Sequence, residues 1–256
     1  GQGIGGATSV CAGFQTNVTP ASGGVWATSD SAIATVSNAG EVTGFSPGVV
    51  TFTFTENGSG CVSTVQFTVY PDVVAGGASS VCQGLSANVT PTSNGTWVSS
   101  DPTIAFVNNA GIVTGLQPGT VTLTFTSFGG CSDSKSFTVH PKPSALGAAS
   151  VQVGQTANVT PATGGTWVSS NPAIATVTDQ GVVSGLTEGS VTLTFTNTTT
   201  GCIGTKALAV IDPGFYKNES MTDSGDKTDP DPENNQDPEV VFPQSFTALV
   251  VTVFQD

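Results

Sequence analysis

The stretches Gly95-Thr-Trp-Val-Ser-Ser-Asp101 and Val121-Thr-Leu-Thr-Phe-Thr126 decide the fold. In the second, Val121, Leu123 and Phe125 alternate with threonines. A period of two sends the apolar side chains to one face and the hydroxyls to the other, as in a strand with one buried face. Both stretches recur. Gly24-Val-Trp-Ala-Thr-Ser-Asp30 and Gly165-Thr-Trp-Val-Ser-Ser-Asn171 flank the first; Val50-Thr-Phe-Thr-Phe-Thr55 and Val191-Thr-Leu-Thr-Phe-Thr196 flank the second. Trp26, Trp97 and Trp167 stand 71 and 70 residues apart. Upstream lie Asn17-Val-Thr-Pro20, Asn88-Val-Thr-Pro91 and Asn158-Val-Thr-Pro161, and downstream the Ile-Ala pairs at 33–34, 104–105 and 174–175. The chain is a tandem array of three units, and repeats of this kind fix the architecture before any motif does.

Each unit reads as about seven short strands separated by turn signals. Asn38-Ala-Gly40, Asn109-Ala-Gly111 and Asp179-Gln-Gly181 suit hairpin loops that place glycine in the left-handed region. Pro47-Gly48 and Pro118-Gly119 mark the next turn, replaced by Glu188-Gly189 in the third copy. The spacing predicts an all-β chain of three tandem immunoglobulin-like β-sandwich domains, at 1–71, 72–141 and 142–212. Trp26, Trp97 and Trp167 are the expected core residues. Asp30, Asp101 and Asn171 are expected to cap the turn after each tryptophan strand.

Composition narrows the function. Of 256 residues only 9% are charged, arginine is absent, and the net charge is −13. Five lysines cannot neutralise a row of phosphates, so nucleic acid is excluded as a partner. No apolar run approaches the roughly 18 residues of a membrane helix, so no direct membrane insertion is expected. HExxH and paired carboxylates are missing from the repeats, which argues against an enzyme, and no cofactor is expected. Gly1-Gln-Gly-Ile-Gly-Gly6 satisfies GxGxxG only on paper, because no strand precedes it and no helix follows. His140 stands where the other copies carry Tyr70 and Ile211, which marks an inter-repeat contact rather than a general base.

The pattern Trp-x-Ser-Ser-Asp/Asn-Pro-x-Ile-Ala-x-Val, then Gly-x-Val-x-Gly-Leu and Gly-x-Val-Thr-Leu-Thr-Phe, resembles the bacterial immunoglobulin-like group 2 (Big_2) domain. The resemblance covers about residues 1–212, with the first copy departing at Ala27-Thr28 and Ser31. Similar modules occur in intimin/invasin-type surface proteins and in large repeat adhesins of the Bacteroidota. The resemblance implies an extracellular or cell-surface rod or stalk with structural or adhesive work. Its partners would be another surface protein, a glycan or neighbouring copies of the chain. A filament subunit polymerised by strand addition and a phage virion fibre or decoration protein are the alternatives. A carbohydrate-binding module would need clustered exposed aromatics, whereas these fall on inward strand positions.

Five cysteines lie at 11, 61, 82, 131 and 202. Cys11 aligns with Cys82, and Cys61 with Cys131 and Cys202; Gln152 takes the cysteine position in the third copy. The economical expectation is two bridges within domains, Cys11–Cys61 and Cys82–Cys131, with Cys202 an unpaired thiol. A loop of about 50 residues closed this way is worth ~4 kcal/mol by the chain-entropy argument. Disulfides imply an oxidising compartment. Metal binding is the rival for these cysteines, but CxxC pairs and nearby histidines are missing, so no metal site is expected. Residues 5–9 repeat the connector at 76–80, so the start is expected to be a processed end or a cut within a longer array.

Beyond residue 212 the composition turns acidic. Residues 213–244 are expected to form a Pro-rich linker too polar to bury a core, with loose calcium binding by its aspartates as a weaker reading. Residues 245–256 are β-prone and uncharged until Asp256. They could open a further domain, pack on repeat 3, or add to a sheet of another subunit through Phe246, Leu249, Val251 and Val253. Asn57-Gly-Ser59, Asn94-Gly-Thr96, Asn197-Thr-Thr199 and Asn218-Glu-Ser220 match the N-glycosylation pattern, and Asp30-Ser-Ala32 matches a short O-glycosylation motif.

Overall fold

A computed structural model describes residues 3–212, and these form strands and turns without a helix. The linker and strand expected at 213–244 and 245–256, with Phe246, Leu249, Val251 and Val253, lie outside the described residues.

The first repeat contains β1 (Gly5–Gly6), β2 (Ser9–Cys11), β3 (Gln15–Thr19), β4 (Gly24–Thr28), β5 (Ala34–Val36), β6 (Glu41–Gly44), β7 (Gly48–Glu56) and β8 (Val62–Tyr70). The second contains β9 (Gly76–Gly77), β10 (Ser80–Cys82), β11 (Ser86–Thr90), β12 (Gly95–Ser99), β13 (Ala105–Val107), β14 (Ile112–Gly115), β15 (Gly119–Ser127) and β16 (Ser132–His140). The third contains β17 (Leu146–Gly147), β18 (Ser150–Gln152), β19 (Thr156–Thr160), β20 (Gly165–Ser169), β21 (Ala175–Val177), β22 (Val182–Gly185), β23 (Gly189–Asn197) and β24 (Ile203–Ile211).

Each repeat is a sandwich of two four-stranded sheets. In the first, the orders are β1-β3-β6-β5 and β2-β8-β7-β4, and the other two repeat this plan. Eight strands replace the expected seven because the opening segment serves both sheets. Gly5–Gly6 pairs antiparallel with β3, and Ser9–Cys11 then crosses to pair parallel with β8. The alternation read from sequence is seen directly: Val121, Leu123 and Phe125 are buried while Thr120, Thr122 and Thr126 are exposed.

Three separate cores result, one per repeat, each built around one tryptophan. Phe125 packs on Trp97 with ring centroids 5.3 Å apart, and Phe54 and Phe195 do the same for Trp26 and Trp167. A buried indole needs an acceptor for its N–H. Trp97 Nε1 donates to the Pro91 carbonyl at 2.7 Å, and Trp26 and Trp167 donate to Pro20 and Pro161. Each of these prolines follows a cis peptide bond from Thr19, Thr90 or Thr160. The hairpin residues Asn38, Asn109 and Asp179 accept the tryptophan backbone N–H, which ties the two sheets together. Gly111 next to them holds φ at 74°, and a Cβ there would collide with the Val89 carbonyl oxygen. Glycine is required at that turn.

The turn after each tryptophan strand is capped as its chemistry predicts. The carboxyl or amide oxygens of Asp30, Asp101 and Asn171 accept the N–H groups of Ala32, Thr103 and Ala173 at 2.9–3.1 Å.

Candidate functional site

The bonded cysteines among the described residues lie where one repeat meets the next. Cys11 closes β2, which runs beside the last residues of β8, with Cys11 opposite Tyr70. Cys61 immediately precedes β8. Nine strand residues at about 3.3 Å each separate the two by roughly 30 Å. A disulfide tolerates a Cα–Cα distance of about 7 Å at most. The expected bridge within repeat 1 is therefore excluded, and the same geometry at β10 and β16 excludes Cys82–Cys131.

The bridges run between repeats instead. Cys11 bonds to Cys131 and Cys82 bonds to Cys202, with Cα–Cα distances of 5.8 and 5.6 Å and the same sequence separation of 120. Each joins the trailing end of one sandwich, where β2 or β10 finishes, to the leading end of the next, just before β16 or β24. Cys202, expected to be unpaired, is buried in a bridge, and the free cysteine among the described residues is the exposed Cys61. The sequence carried a signal for this. In a head-to-tail scheme Gln152 leaves repeat 3 without a trailing sulfur, while both later leading cysteines are matched.

Packing supports the first junction. The Tyr70 ring lies so close to Gly129, in the hairpin before Cys131, that a Cβ on Gly129 would strike Tyr70 Cγ and Cδ1. The position shared by Tyr70, His140 and Ile211 thus makes an inter-repeat contact at the first junction. At the second, Cys82, Gln83, Gly84, Leu85, Lys142 and Ile203 line an open cleft of about 500 Å³.

The connector into repeat 2 is also held, by residues the sequence reading passed over. Asp133 Oδ2 accepts the Ala75 N–H at 2.8 Å and Oδ1 accepts the Ser134 N–H. The Ala75 amide, with help from Ser134, holds the Asp133 carboxyl below the usual carboxylate range. Lys135 Nζ donates to the carbonyls of Gly76 and Gly77. In repeat 3 the Asp133 position is Gly204, and the Pro143 carbonyl fills the space a Cβ would need. The connector packs there on bare backbone. Asp101 is a second acid with a lowered pKa, through the Thr103 hydroxyl and amide first and the Ile104 amide in addition.

Among the described residues no group of three or more His, Cys, Asp or Glu converges as a metal site would require. No helix there is long and apolar enough to cross a membrane.

The model of the bacterial Ig-like domain (group 2) matches three times, at residues 5–69, 62–139 and 133–202. The chain belongs to that family. No curated protein matches it. Among solved structures, the bacterial integrin-binding protein invasin is similar at 16% identity and a TM-score of 0.40, over 81% of this chain and 58% of that one. A C-terminal fragment of intimin, in complex with the intimin-binding domain of its translocated receptor, is similar at 16% identity and a TM-score of 0.41, over 57% and 65%. Domains 1–6 of the surface layer protein SbsC give 16% and 0.26, over 84% and 40%. The chain thus spans less than two thirds of each of these structures.

Proposed function

We propose that this chain is a non-catalytic stalk segment of an extracellular or surface protein, its Ig-like group 2 repeats clamped head to tail by disulfides. The observation that carries this reading is the pair of bridges Cys11–Cys131 and Cys82–Cys202. Repeats that touch only their neighbours hinge at each connector unless something else joins them. Here every junction has two covalent crossings, the connector and the bridge. Bridges also belong to oxidising compartments, which supports a location outside the cytoplasm. The work is to hold a neighbouring adhesive or anchoring part of the protein at a distance, or to add to an adhesive surface facing another surface protein.

The pairing dictates how the stalk bears load. Tension entering at Cys11 crosses to Cys131, returns along the backbone to Cys82, and crosses again to Cys202. Residues 12–81 and 132–201 are off that route. Single-molecule extension tests the reading. Under oxidising conditions the two outer repeats give no full-length unfolding step. Reductant releases about 70 residues in each, roughly 240 Å at up to ~3.4 Å per residue. Identical step lengths with and without reductant would overturn the clamp.

A further inference from the structure

Cys61 is the leading-end cysteine of repeat 1, the structural counterpart of Cys131 and Cys202. The three hairpins are built alike. Backbone N–H groups of Glu56, Ser127 and Asn197 donate to the carbonyls of Cys61, Cys131 and Cys202. Hydroxyls of Ser59, Ser127 and Thr200 accept the three cysteine N–H groups. The surroundings of the sulfur differ. Cys131 and Cys202 are 2% and 1% exposed, each covered by the trailing end of the repeat before it, whereas Cys61 is exposed. In the second repeat the hairpin also packs on its predecessor, where a Cβ on Gly129 would strike Tyr70.

We propose that Cys61 is the receiving half of a third inter-repeat bridge, made to a trailing-end cysteine of the Cys11 and Cys82 type on a further Ig-like repeat ahead of repeat 1. The argument is internal to the molecule: the same leading-end cysteine is bonded to that type of partner in both copies where a preceding repeat stands. This deepens the clamped-stalk reading and rests on it. The chemistry is thiol–disulfide exchange with a protein or small-molecule disulfide as oxidant. One cysteine thiolate attacks the oxidant and expels one of its thiolates. The second cysteine thiolate then displaces the other from the mixed disulfide. For each bridge made, the two cysteines lose two protons and two electrons, and the oxidant is reduced to two thiols.

The test extends the full chain at its N-terminus with a second copy of residues 72–141 carrying Cys131→Ser. This places the copy's Cys82 at the separation of 120 from Cys61 that both existing bridges show. After oxidation, digestion without reductant and mass spectrometry should find the copy's Cys82 bonded to Cys61. Maleimide-reactive thiol should fall from one per chain to none. In the unextended chain one thiol reacts without denaturant, and Cys61→Ser abolishes it. A Cys61 that stays reactive in the folded extended chain overturns the proposal. So does a covalent dimer in place of the intramolecular bridge, or an unextended chain with no reactive thiol. The extension experiment on Cys11–Cys131 and Cys82–Cys202 does not involve Cys61, so the stalk reading and this one fail separately.

Discussion

Cys11 and Cys131 belong to different sandwiches and are 120 residues apart in sequence, yet their Cα atoms lie 5.8 Å apart. Each sandwich therefore has a distinct leading and trailing end, and the bridges record which end meets which.

Removing a bridge should weaken the repeats it joins while leaving Cys61 irrelevant to their stability. Closing a loop of this size is worth about 4–5 kcal/mol by the chain-entropy argument, as an upper figure because the two loops overlap. Cys11→Ser should lower denaturant resistance under oxidising conditions and expose a second reactive thiol, Cys131. Cys61→Ser should shift stability by less than about 0.5 kcal/mol. Denaturant titration with thiol counting checks both. Equal effects from the two variants would contradict the pairing.

The contact of Tyr70 with Gly129 should behave as a lock between the first two repeats. Gly129 does not hold a positive φ, so replacing it tests the space alone. Gly129→Val should cost about 1–3 kcal/mol by overpacking. Tyr70→Ala in the same chain should recover part of that loss. Amide exchange at the two junctions would report it, with protection lost at Gly129 and Tyr70 but retained around Cys82 and Cys202. An unchanged junction in Gly129→Val would refute the contact.

Each core should fail independently. Trp97 is 4% exposed, and Trp97→Ala deletes an indole from the core of the second repeat only. A loss of about 3–5 kcal/mol is expected for that repeat. Proteolysis and tryptophan fluorescence should show repeat 2 opening while Trp26 and Trp167 keep their buried emission. Loss of the buried emission of Trp26 and Trp167 together with the opening of repeat 2 would mean that the cores fold as one.

Acid should act on the second repeat through Asp101 and Asp133. Both carboxyls titrate below their ordinary value of 3.8 because backbone N–H groups, and at Asp101 the Thr103 hydroxyl, favour the ionised form. A depressed folded pKa gives stabilisation that is fully present above the unfolded value. It is lost as pH falls through the folded value, so the window lies below about pH 4. The Thr103 and Ala75 amides should then exchange faster. Asn171 and Gly204, at the equivalent positions of repeat 3, do not titrate, and the Ala173 amide should show no such step. Asp101→Asn should remove the step at Thr103 and leave the one at Ala75.

Much of the architecture was legible because it is local. Val121, Leu123 and Phe125 alternate with threonine, and such alternation is also a statement about which face is buried. Asn109-Ala-Gly111 announced a turn because glycine takes the left-handed conformation at little cost. What the side chain of Asn109 does was not legible. It accepts the Trp97 N–H from another strand, and a loop sequence does not say which strand will pass within 3.1 Å. The division of the opening segment between two sheets was hidden for the same reason.

The sequence by itself determined the number of repeats, their all-β character and the tryptophan at the centre of each, since these follow from periodicity, turn chemistry and apolar burial along short stretches of chain. The tertiary structure alone decided which cysteines bond. Five sulfurs on a repeating chain fall into two equivalent sets, and spacing cannot show that β8 and β16 hold those sets at opposite ends of a sheet. Strand length keeps Cys11 from Cys61, and the stacking of one sandwich end on the next brings it to Cys131.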